Sequence, residues 1–236
     1  MQSITQHARW RVGRAQLPLI ALLAVALALA ANGWLAAPRV HADGVWTTHA
    51  SMPTARYGLA VARGHNGNLY AIGGYDGTLT VQATVEVYSP STDTWSTVSP
   101  MPTARTALAV ATGSDGRIYA IGGVDGNGNR LSTVEVYTPA TDTWAEAAPM
   151  PTPRDSLAAV AANGLIYAIG GFNGSIPLDT VEAYDPATNT WATGLAPMPT
   201  PRYVFGATLG PNGNVYAIGG TNTESGVTLP MTEAYS

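Results

Sequence analysis

A unit of 48 to 49 residues is written four times along this 236-residue sequence. The motif Tyr-Ala-Ile-Gly-Gly recurs at spacings of 49, 48 and 49, beginning at Tyr70, Tyr119, Tyr167 and Tyr216. The motif Met-Pro-Thr-x-Arg ends at Arg56, Arg105, Arg154 and Arg202. Because a repeat of this length is one supersecondary module that buries its apolar face only against its neighbours, the chain is restricted to a repeat architecture.

Short apolar segments separated by turn residues predict four β-strands in each unit. The first follows the arginine, where Gly58–Ala62 and Ala107–Ala111 are small and apolar. The second is Leu69–Ile72, the third is Thr84–Tyr88, in which residues alternate between two faces, and the outer strand begins at Trp95. Dipeptides that favour positive φ predict two-residue hairpin turns between the first two strands. These dipeptides are Asn66-Gly67, Asp115-Gly116, Asn163-Gly164 and Asn212-Gly213.

The conserved order of motifs within the unit carries a family resemblance. A glycine pair ends the second strand, a tyrosine and a tryptophan follow seven residues apart, as in Tyr88 and Trp95, and the proline and arginine of the next unit come after them. This pattern resembles the kelch repeat over Trp46 to Ser236. The resemblance implies an all-β fold, a β-propeller of four four-stranded blades around a central channel. The blades fall at about residues 56–102, 105–151, 154–199, and 202–236 together with 46–52.

The sequence places the outer strand of the fourth blade at the N-terminal end of the domain. Residues 46–52 resemble an outer strand with no blade before it, whereas the fourth unit stops at Tyr235 and Ser236, before its own outer strand. If the N-terminal strand completes the fourth blade, the four blades close with no unpaired edge. The alternatives are a partial ring completed by another chain, with self-association, or a truncated reading frame.

The first 42 residues have the pattern of a secretory signal, and we expect them to lie outside the fold. Three arginines precede an apolar run at Leu17–Ala31, and Val40-His41-Ala42 offers small residues for cleavage before Asp43. An uncleaved membrane anchor is the alternative, and contact with a membrane is expected only in that case. Cleavage leaves 7 arginines and 15 acidic residues, so the propeller at 43–236 carries a net charge of −8. We therefore expect a secreted, periplasmic or cell-surface protein with no nucleic-acid partner.

Residues that are the same in every unit are expected to build the blade. We expect the four arginines to pair with the repeated glutamates or with backbone carbonyls, and not to form a cationic ring that binds an anion. The tryptophans and tyrosines are expected to pack between strands. The repeated tryptophans are Trp46, Trp95, Trp144 and Trp191. The glycine pairs are Gly73 and Gly74, Gly122 and Gly123, Gly170 and Gly171, and Gly219 and Gly220.

Residues that differ between units are the better candidates for a ligand site. The connections between second and third strands, and the residues just after each arginine, are expected on one face of the propeller. They combine aromatic rings with Asp and Asn, which suits carbohydrate or peptide binding. The candidate binding residues are Tyr57, Tyr75, Asp76, Asp125, Asp155, Phe172, Asn173, Tyr203 and Asn222. Four of them, Asp76, Asp125, Asn173 and Asn222, could place a ring of oxygens for calcium at the mouth, but turn capping explains the same residues without a metal and is favoured. We expect no metal or cofactor.

Enzymatic functions find little support in the composition. The chain has no cysteine, which excludes the copper radical oxidases that some secreted kelch-like propellers resemble. Only His49 and His65 follow the leader, and no sialidase box is present. A sugar mutarotase or epimerase resembling sialic acid mutarotase is the alternative, with Asp155 as its proton-transfer group. The sequence predicts a non-catalytic propeller that binds an extracellular protein or glycan, and a structural or adhesion module is a further alternative.

Overall fold

The computed structural model describes residues 46–222 and 227–236, and its regular structure in these residues is entirely β. The predicted leader and its cleavage site lie outside the described residues. Within the described ranges, no helix has the length and apolar character needed to cross a bilayer. The propeller lies in the compact unit His49–Ser236.

The strands follow one another in the order that the repeat predicts. The first blade contains β1 (Arg56–Tyr57), β2 (Ala60–Arg63), β3 (Leu69–Ile72), β4 (Tyr75–Asp76), β5 (Val85–Ser89) and β6 (Thr94–Val98). The second contains β7 (Ala109–Thr112), β8 (Ile118–Ile121), β9 (Val134–Thr138) and β10 (Thr143–Ala147). The third contains β11 (Ala158–Ala162), β12 (Leu165–Ile169), β13 (Val181–Asp185) and β14 (Thr190–Ala192). The fourth contains β15 (Gly206–Leu209), β16 (Val215–Ile218) and β17 (Thr232–Tyr235).

Each blade is an antiparallel meander that runs outward from the central channel. In the first blade the order is β2-β3-β5-β6, while β1 and β4 form a separate two-stranded ladder. Ala60 pairs with Ile72, which pairs with Val85. Since opposite residues in a ladder point to the same side, these three share one face of the sheet. We call this the forward face of a blade, and the opposite side, which carries Leu69 and Ala71, the rear face.

The forward face of one blade packs on the rear face of the next. The first such interface buries Tyr70, Ile72 and Val85 of the first blade against Ile118 and Ala120 of the second. Equivalent clusters join the second blade to the third and the third to the fourth. A tyrosine from each side meets in every interface, with ring centroids 5.6 to 5.7 Å apart. These pairs are Tyr70 with Tyr137, Tyr119 with Tyr184, and Tyr167 with Tyr235.

The side chains of the repeated arginines are enclosed and ion-paired. Arg105 is fully buried, and its Nη2 donates to Glu135 at 2.7 Å. Its Nη1 donates to the carbonyl of Thr133 at 2.8 Å, and the hydroxyl of Thr103 donates to the same glutamate at 2.6 Å. The other blades repeat the ion pair with Arg56 and Glu86, Arg154 and Glu182, and Arg202 and Glu233. Because these guanidinium groups are enclosed, they cannot form a cationic ring for a ligand.

The glycine pairs let neighbouring backbones approach closely. Gly73 and Gly74 have φ of 66° and 99°, the left-handed region that favours glycine. The amide of Gly74 donates to the carbonyl of Arg105 in the next blade at 3.0 Å. A Cβ on Gly73 would collide with that same carbonyl. The pair therefore joins the end of one second strand to the arginine segment of the following blade.

The fourth blade differs from the prediction, because residues 46–52 form no strand with it. Its sheet has three strands in the order β15-β16-β17, and the described part of residues 46–52 contains no β-structure. Trp46, predicted to pack like the other tryptophans, is 99% exposed. Ala50 instead accepts from the indole nitrogen of Trp95 at 2.8 Å, as Ser99 does from Trp144. Ala50 is therefore placed against the first blade as Ser99 is placed against the second blade, and the segment adds no outer strand to the fourth blade.

The connection between the first two strands is also longer than predicted in three blades. The two-residue turn exists in the third blade, where Asn163 and Gly164 have φ of 52° and 81°. In the first blade the connection spans residues 64–68, and Gly67 alone has positive φ. The amide of Gly64 donates to Asn68 and that of Gly67 donates to Gly64. The third unit is one residue shorter, so the same dipeptide forms a tighter turn there.

Candidate functional site

The candidate site is built on a short antiparallel pairing that recurs in each blade, between the residue after the arginine and the connection from the second to the third strand. In the first blade, Tyr57 pairs with Tyr75 in the ladder of β1 and β4. The other blades form isolated bridges between Thr106 and Val124, Asp155 and Phe172, and Tyr203 and Thr221. The residue after each arginine is therefore fixed beside the connection between second and third strands. We call the surface formed by these residues and connections the loop face.

The loop face surrounds the mouth of the central channel. A cavity of about 450 Å³ is lined there by two residues from each blade. They are Gly58 and Leu59, Ala107 and Leu108, Ser156 and Leu157, and Val204 and Phe205. A ligand at this mouth would meet apolar side chains below and the variable residues of the loop face around it.

A row of backbone hydrogen bonds joins the blades at this mouth. The amide of Ala107 donates to the carbonyl of Gly58 at 2.9 Å, that of Ser156 donates to Ala107 at 2.8 Å, and that of Val204 donates to Ser156 at 3.0 Å. All four residues have φ between 50° and 63°. Three of them are not glycine, so the blades accept a strained conformation here. Among the described residues no such bond joins Gly58 to Val204.

Two aromatic pairs stand on the loop face. Tyr57 and Tyr75 of the first blade have ring centroids 5.4 Å apart, and Tyr57 is 56% exposed. Phe172 of the third blade and Tyr203 of the fourth have ring centroids 5.3 Å apart. The sequence predicted all four as site residues, and the structure assembles them as two platforms. Tyr75, Phe172 and Tyr203 are half-buried. Aromatic rings that are accessible on a rigid scaffold can stack against sugar rings or peptide side chains.

Asp155 is held by an arginine that sequence reasoning missed. The Nε of Arg130, from the second blade, donates to Asp155 at 2.7 Å. The guanidinium of Arg130 also lies over the ring of Phe172, 5.4 Å from its centroid. The hydroxyl of Ser156 donates to the other carboxylate oxygen at 2.7 Å. The predicted neighbour Arg154 is directed away, to Glu182, so Arg130 is the polar partner of this cluster.

The Asp and Asn residues of the connections stabilise their own turns. Asp76 Oδ1 accepts from the amides of Thr78 and Thr80 at 2.8 and 3.0 Å. Hydrogen bonds from the Thr78 hydroxyl and from the amides of Thr80 and Thr78 hold the pKa of Asp76 below its usual value. Asp125 accepts from the amides of Asn127 and Asn129 in the same way. These oxygens act as turn caps, which is the alternative to the calcium ring.

Asn173 and Asn222 complete the set of predicted loop residues. Asn173 Oδ1 accepts from the amides of Ser175 and Ile176, both at 2.9 Å. Asn222 follows the bridge at Thr221 and is the last described residue before the gap at 223–226. In the described part of the chain, no three residues among His, Asp and Glu are grouped to hold a metal ion.

The two histidines of the propeller lie apart from the loop face. His65 belongs to the hairpin connection at the opposite end of the blades and lines cavities there with Thr112 and Asp115. His49 lies 3.3 Å from Asp93 and beside Tyr88, at the outer edge of the first blade. Neither histidine reaches Asp155, so the structure does not assemble a histidine and a carboxylate as an acid–base pair at the candidate site.

The fold defines a kelch-type β-propeller. The family model described as the KLHDC2/KLHL20/DRC7 Kelch-repeats domain matches residues 41–224. The chain therefore belongs to this kelch-repeat family.

One solved structure, titled "Structure of YjhT", is similar to the chain with a TM-score of 0.68 and 21% sequence identity. The similarity covers 78% of this chain and 65% of that one, so the chain spans less than two thirds of the length of that protein. At this identity the likeness shows the propeller fold. No curated protein matches the sequence.

Proposed function

We propose that the chain is exported and that its loop face binds an extracellular carbohydrate or protein surface without catalysing a reaction. The observation that carries the proposal is the pair of aromatic platforms, Tyr57 with Tyr75 and Phe172 with Tyr203, on the loop face. Export is supported by the basic segment and apolar run that precede the propeller in the sequence.

The chemistry of the loop face favours a neutral ligand with both apolar and polar groups. Aromatic rings supply stacking surfaces, and the apolar residues at the channel mouth supply a floor. The carboxylate of Asp155 and the guanidinium of Arg130 satisfy each other, so the cluster presents little net charge. Sugars and exposed peptide segments have this mixed character.

The contacts of Asp155 also weigh on the second candidate function. A sugar mutarotase needs a group that moves protons, and Asp155, which forms a β-bridge with Phe172, is the candidate. Its two oxygens already accept from Arg130 and Ser156. A general base must reach the proton of its substrate through a hydrogen bond, and these contacts compete with a substrate for the same oxygens. The geometry therefore supports binding better than proton transfer.

Binding is tested on a glycan and peptide array, with binding of the wild-type protein to at least one ligand class as the expected result. The variant carrying Tyr57→Ala and Tyr203→Ala should lose that binding, because it removes one ring from each platform. His65→Ala, at the opposite end of the blades, is the matched control and should bind like the wild type. A folded wild-type sample that binds nothing on the array would favour a purely structural or adhesion module.

The catalytic alternative is tested separately with reducing sugars. A polarimetric or exchange measurement should show no acceleration of anomer exchange by the wild-type protein. Acceleration that Asp155→Asn abolishes would replace the binding proposal with the mutarotase.

A further inference from the structure

The chain builds the same blade-to-blade interface three times. Each interface joins a forward face to a rear face and contains one tyrosine from each side, at a centroid distance of 5.6 to 5.7 Å. The forward-face isoleucine is buried in all three: Ile72 and Ile121 are 0% exposed and Ile169 is 3% exposed. The interface is therefore a defined contact that this sequence forms repeatedly.

One forward face and one rear face have no partner blade among the described residues. On the forward face of the fourth blade, Ile218 is 48% exposed, and the hydroxyl of Tyr216 accepts from Asn212 of the same blade at 2.9 Å. On the rear face of the first blade, Val61 is 60% exposed, and the ring contacts of Tyr88 are with His49 and Trp95 of its own blade. These are the two halves of a fourth interface of the same kind.

We propose that a second copy of this chain covers these two open faces. The rear face of the first blade of one copy would pack on the forward face of the fourth blade of the other copy. The contact would pair Tyr216 of one copy with Tyr88 of the other, as Tyr70 pairs with Tyr137 within one chain. Ile218 of the first copy would take the position that Ile72 has in the interface within one chain. Val61 of the other copy would take the position of Val110. A twofold pair uses both open faces of both copies, which closes the assembly.

The rear face of the first blade preserves the residues that the interface uses. Leu69, Ala71 and Trp95 stand where the second blade has Ile118, Ala120 and Trp144. Its one charged departure is Arg63, which replaces Thr112 at the strand end.

The forward face of the fourth blade keeps the tyrosine and isoleucine but is otherwise smaller and more polar. Thr232 stands in place of Val85, Thr208 in place of Ala62, and Gly206 in place of Ala60. A smaller apolar area buries less surface. The interface between copies is therefore expected to be weaker than the permanent ones and to depend on concentration.

Sedimentation velocity of the full chain at about 1 to 100 µM, the range in which weak and moderate complexes dissociate, tests the proposal. The wild type should shift from monomer to dimer as concentration rises. Ile218→Asp and Val61→Asp should each weaken the association at least about tenfold, because each places a charge in the contact. Ile176→Asp is the matched control, since Ile176 is equally exposed at 58% but lies in a connection of the third blade. A wild type that stays monomeric throughout, or an association that both face variants leave unchanged, overturns the proposal.

Cross-linking distinguishes a second copy from closure within one chain. The sequence has no cysteine, so Tyr88→Cys and Tyr216→Cys introduce single reactive sites. A short bismaleimide should link these two variants when they are mixed, and should link neither variant alone. With both substitutions in one chain, the product should have the mass of a dimer. A cross-link confined to the monomer at every concentration would mean that the fourth blade meets the first blade of its own chain, and would overturn the proposal.

Discussion

Each blade encloses an arginine whose charge is balanced inside the protein. Arg105 is fully buried between the first two blades, where Glu135 and backbone carbonyls accept its hydrogen bonds. Burial lowers the pKa of Arg105 to about 10, while the charge of Glu135 opposes that shift. The side chain therefore stays protonated at neutral pH. At this scale the repeated residues act through burial and pairing, and each arginine fastens the segment before the first strand to the sheet of its own blade.

Removing the buried guanidinium is predicted to destabilise the propeller strongly. Arg105→Ala leaves the carboxylate of Glu135 buried without its partner, which costs about 3–5 kcal/mol. The free energy of unfolding from urea titration measures the loss. Arg63→Ala removes an exposed arginine and should change stability by less than about 0.5 kcal/mol. Equal losses in the two variants would show that the buried pair has no special role.

The turn before each outer strand contains a carboxylate or an amide in the same position. Asp142 Oδ1 accepts from the amide of Ser99 and from the hydroxyl of Tyr137, both at 2.8 Å. In the third blade Asn189 accepts the equivalent bonds from Ala148 and Tyr184 at 2.8 and 2.7 Å. The oxygen therefore serves the turn whether or not it carries a charge.

This comparison predicts how Asp142 contributes to the pH dependence of stability. The hydrogen bonds from Ser99 and Tyr137 lower the pKa of Asp142 from its usual 3.8. Its stabilisation is present above that usual value and is lost as the pH falls through the lower folded value. Asp142→Asn should keep the turn, as Asn189 does, and reduce the loss of stability below about pH 4. Unfolding free energies measured from pH 2.5 to 7 test this; an unchanged acid dependence in the variant contradicts it.

In each blade, the residue two positions before the strand nearest the channel lies in the left-handed region. Gly58, Ala107, Ser156 and Val204 occupy equivalent positions with φ of 50° to 63°. Glycine accepts this conformation, whereas a β-branched residue is strained in it. Val204 is 66% exposed, so little packing offsets its strain.

Val204→Gly is therefore predicted to stabilise the fourth blade. Relief of the left-handed strain is worth about 1–2 kcal/mol and the added chain entropy of glycine costs about 0.5–1 kcal/mol, so the net gain is up to about 1.5 kcal/mol. Thermal unfolding measures the difference. Gly58→Val is the reverse substitution and should destabilise, since its Cβ would lie 2.6 Å from the hydroxyl of Thr106. A lower Tm for Val204→Gly would mean that the exposed valine contributes more than its strain costs.

Strands were the part of the fold that the repeat predicted best. Leu69–Ile72 is a strand with the predicted bounds, because the alternation and the following glycine pair both mark it. Hairpin length was not predictable from the Asn-Gly dipeptide, which forms a two-residue turn only where the unit is one residue shorter.

Arg130 was not predicted as a site residue, because its role depends on Asp155 of another blade. A signal did exist: Arg130 is the charged residue among the bridge positions otherwise held by Val81, Pro177 and Thr228.

In the whole propeller, residues that recur in every unit form the scaffold, and residues that differ between units form the loop face. The arginines and glutamates that recur in every unit pair within each blade, and the first three glycine pairs bond to the arginine segment of the next blade. The aromatic platforms and the Arg130–Asp155 pair occur once each around the channel mouth. The forward face of the fourth blade and the rear face of the first blade carry the exposed Ile218 and Val61, and these are the two faces that the proposed second copy would cover.

The central claim is that the loop face binds a ligand while the repeated residues provide stability. The most direct test is the rise in Tm caused by the best ligand from the array, measured in the wild type, in the Tyr57→Ala and Tyr203→Ala double variant, and in His65→Ala. The unliganded Tm of the double variant should fall by no more than about 4 °C, and its ligand-induced rise should disappear while His65→Ala keeps it. A double variant that retains the full rise, or a control that loses it, would contradict the account.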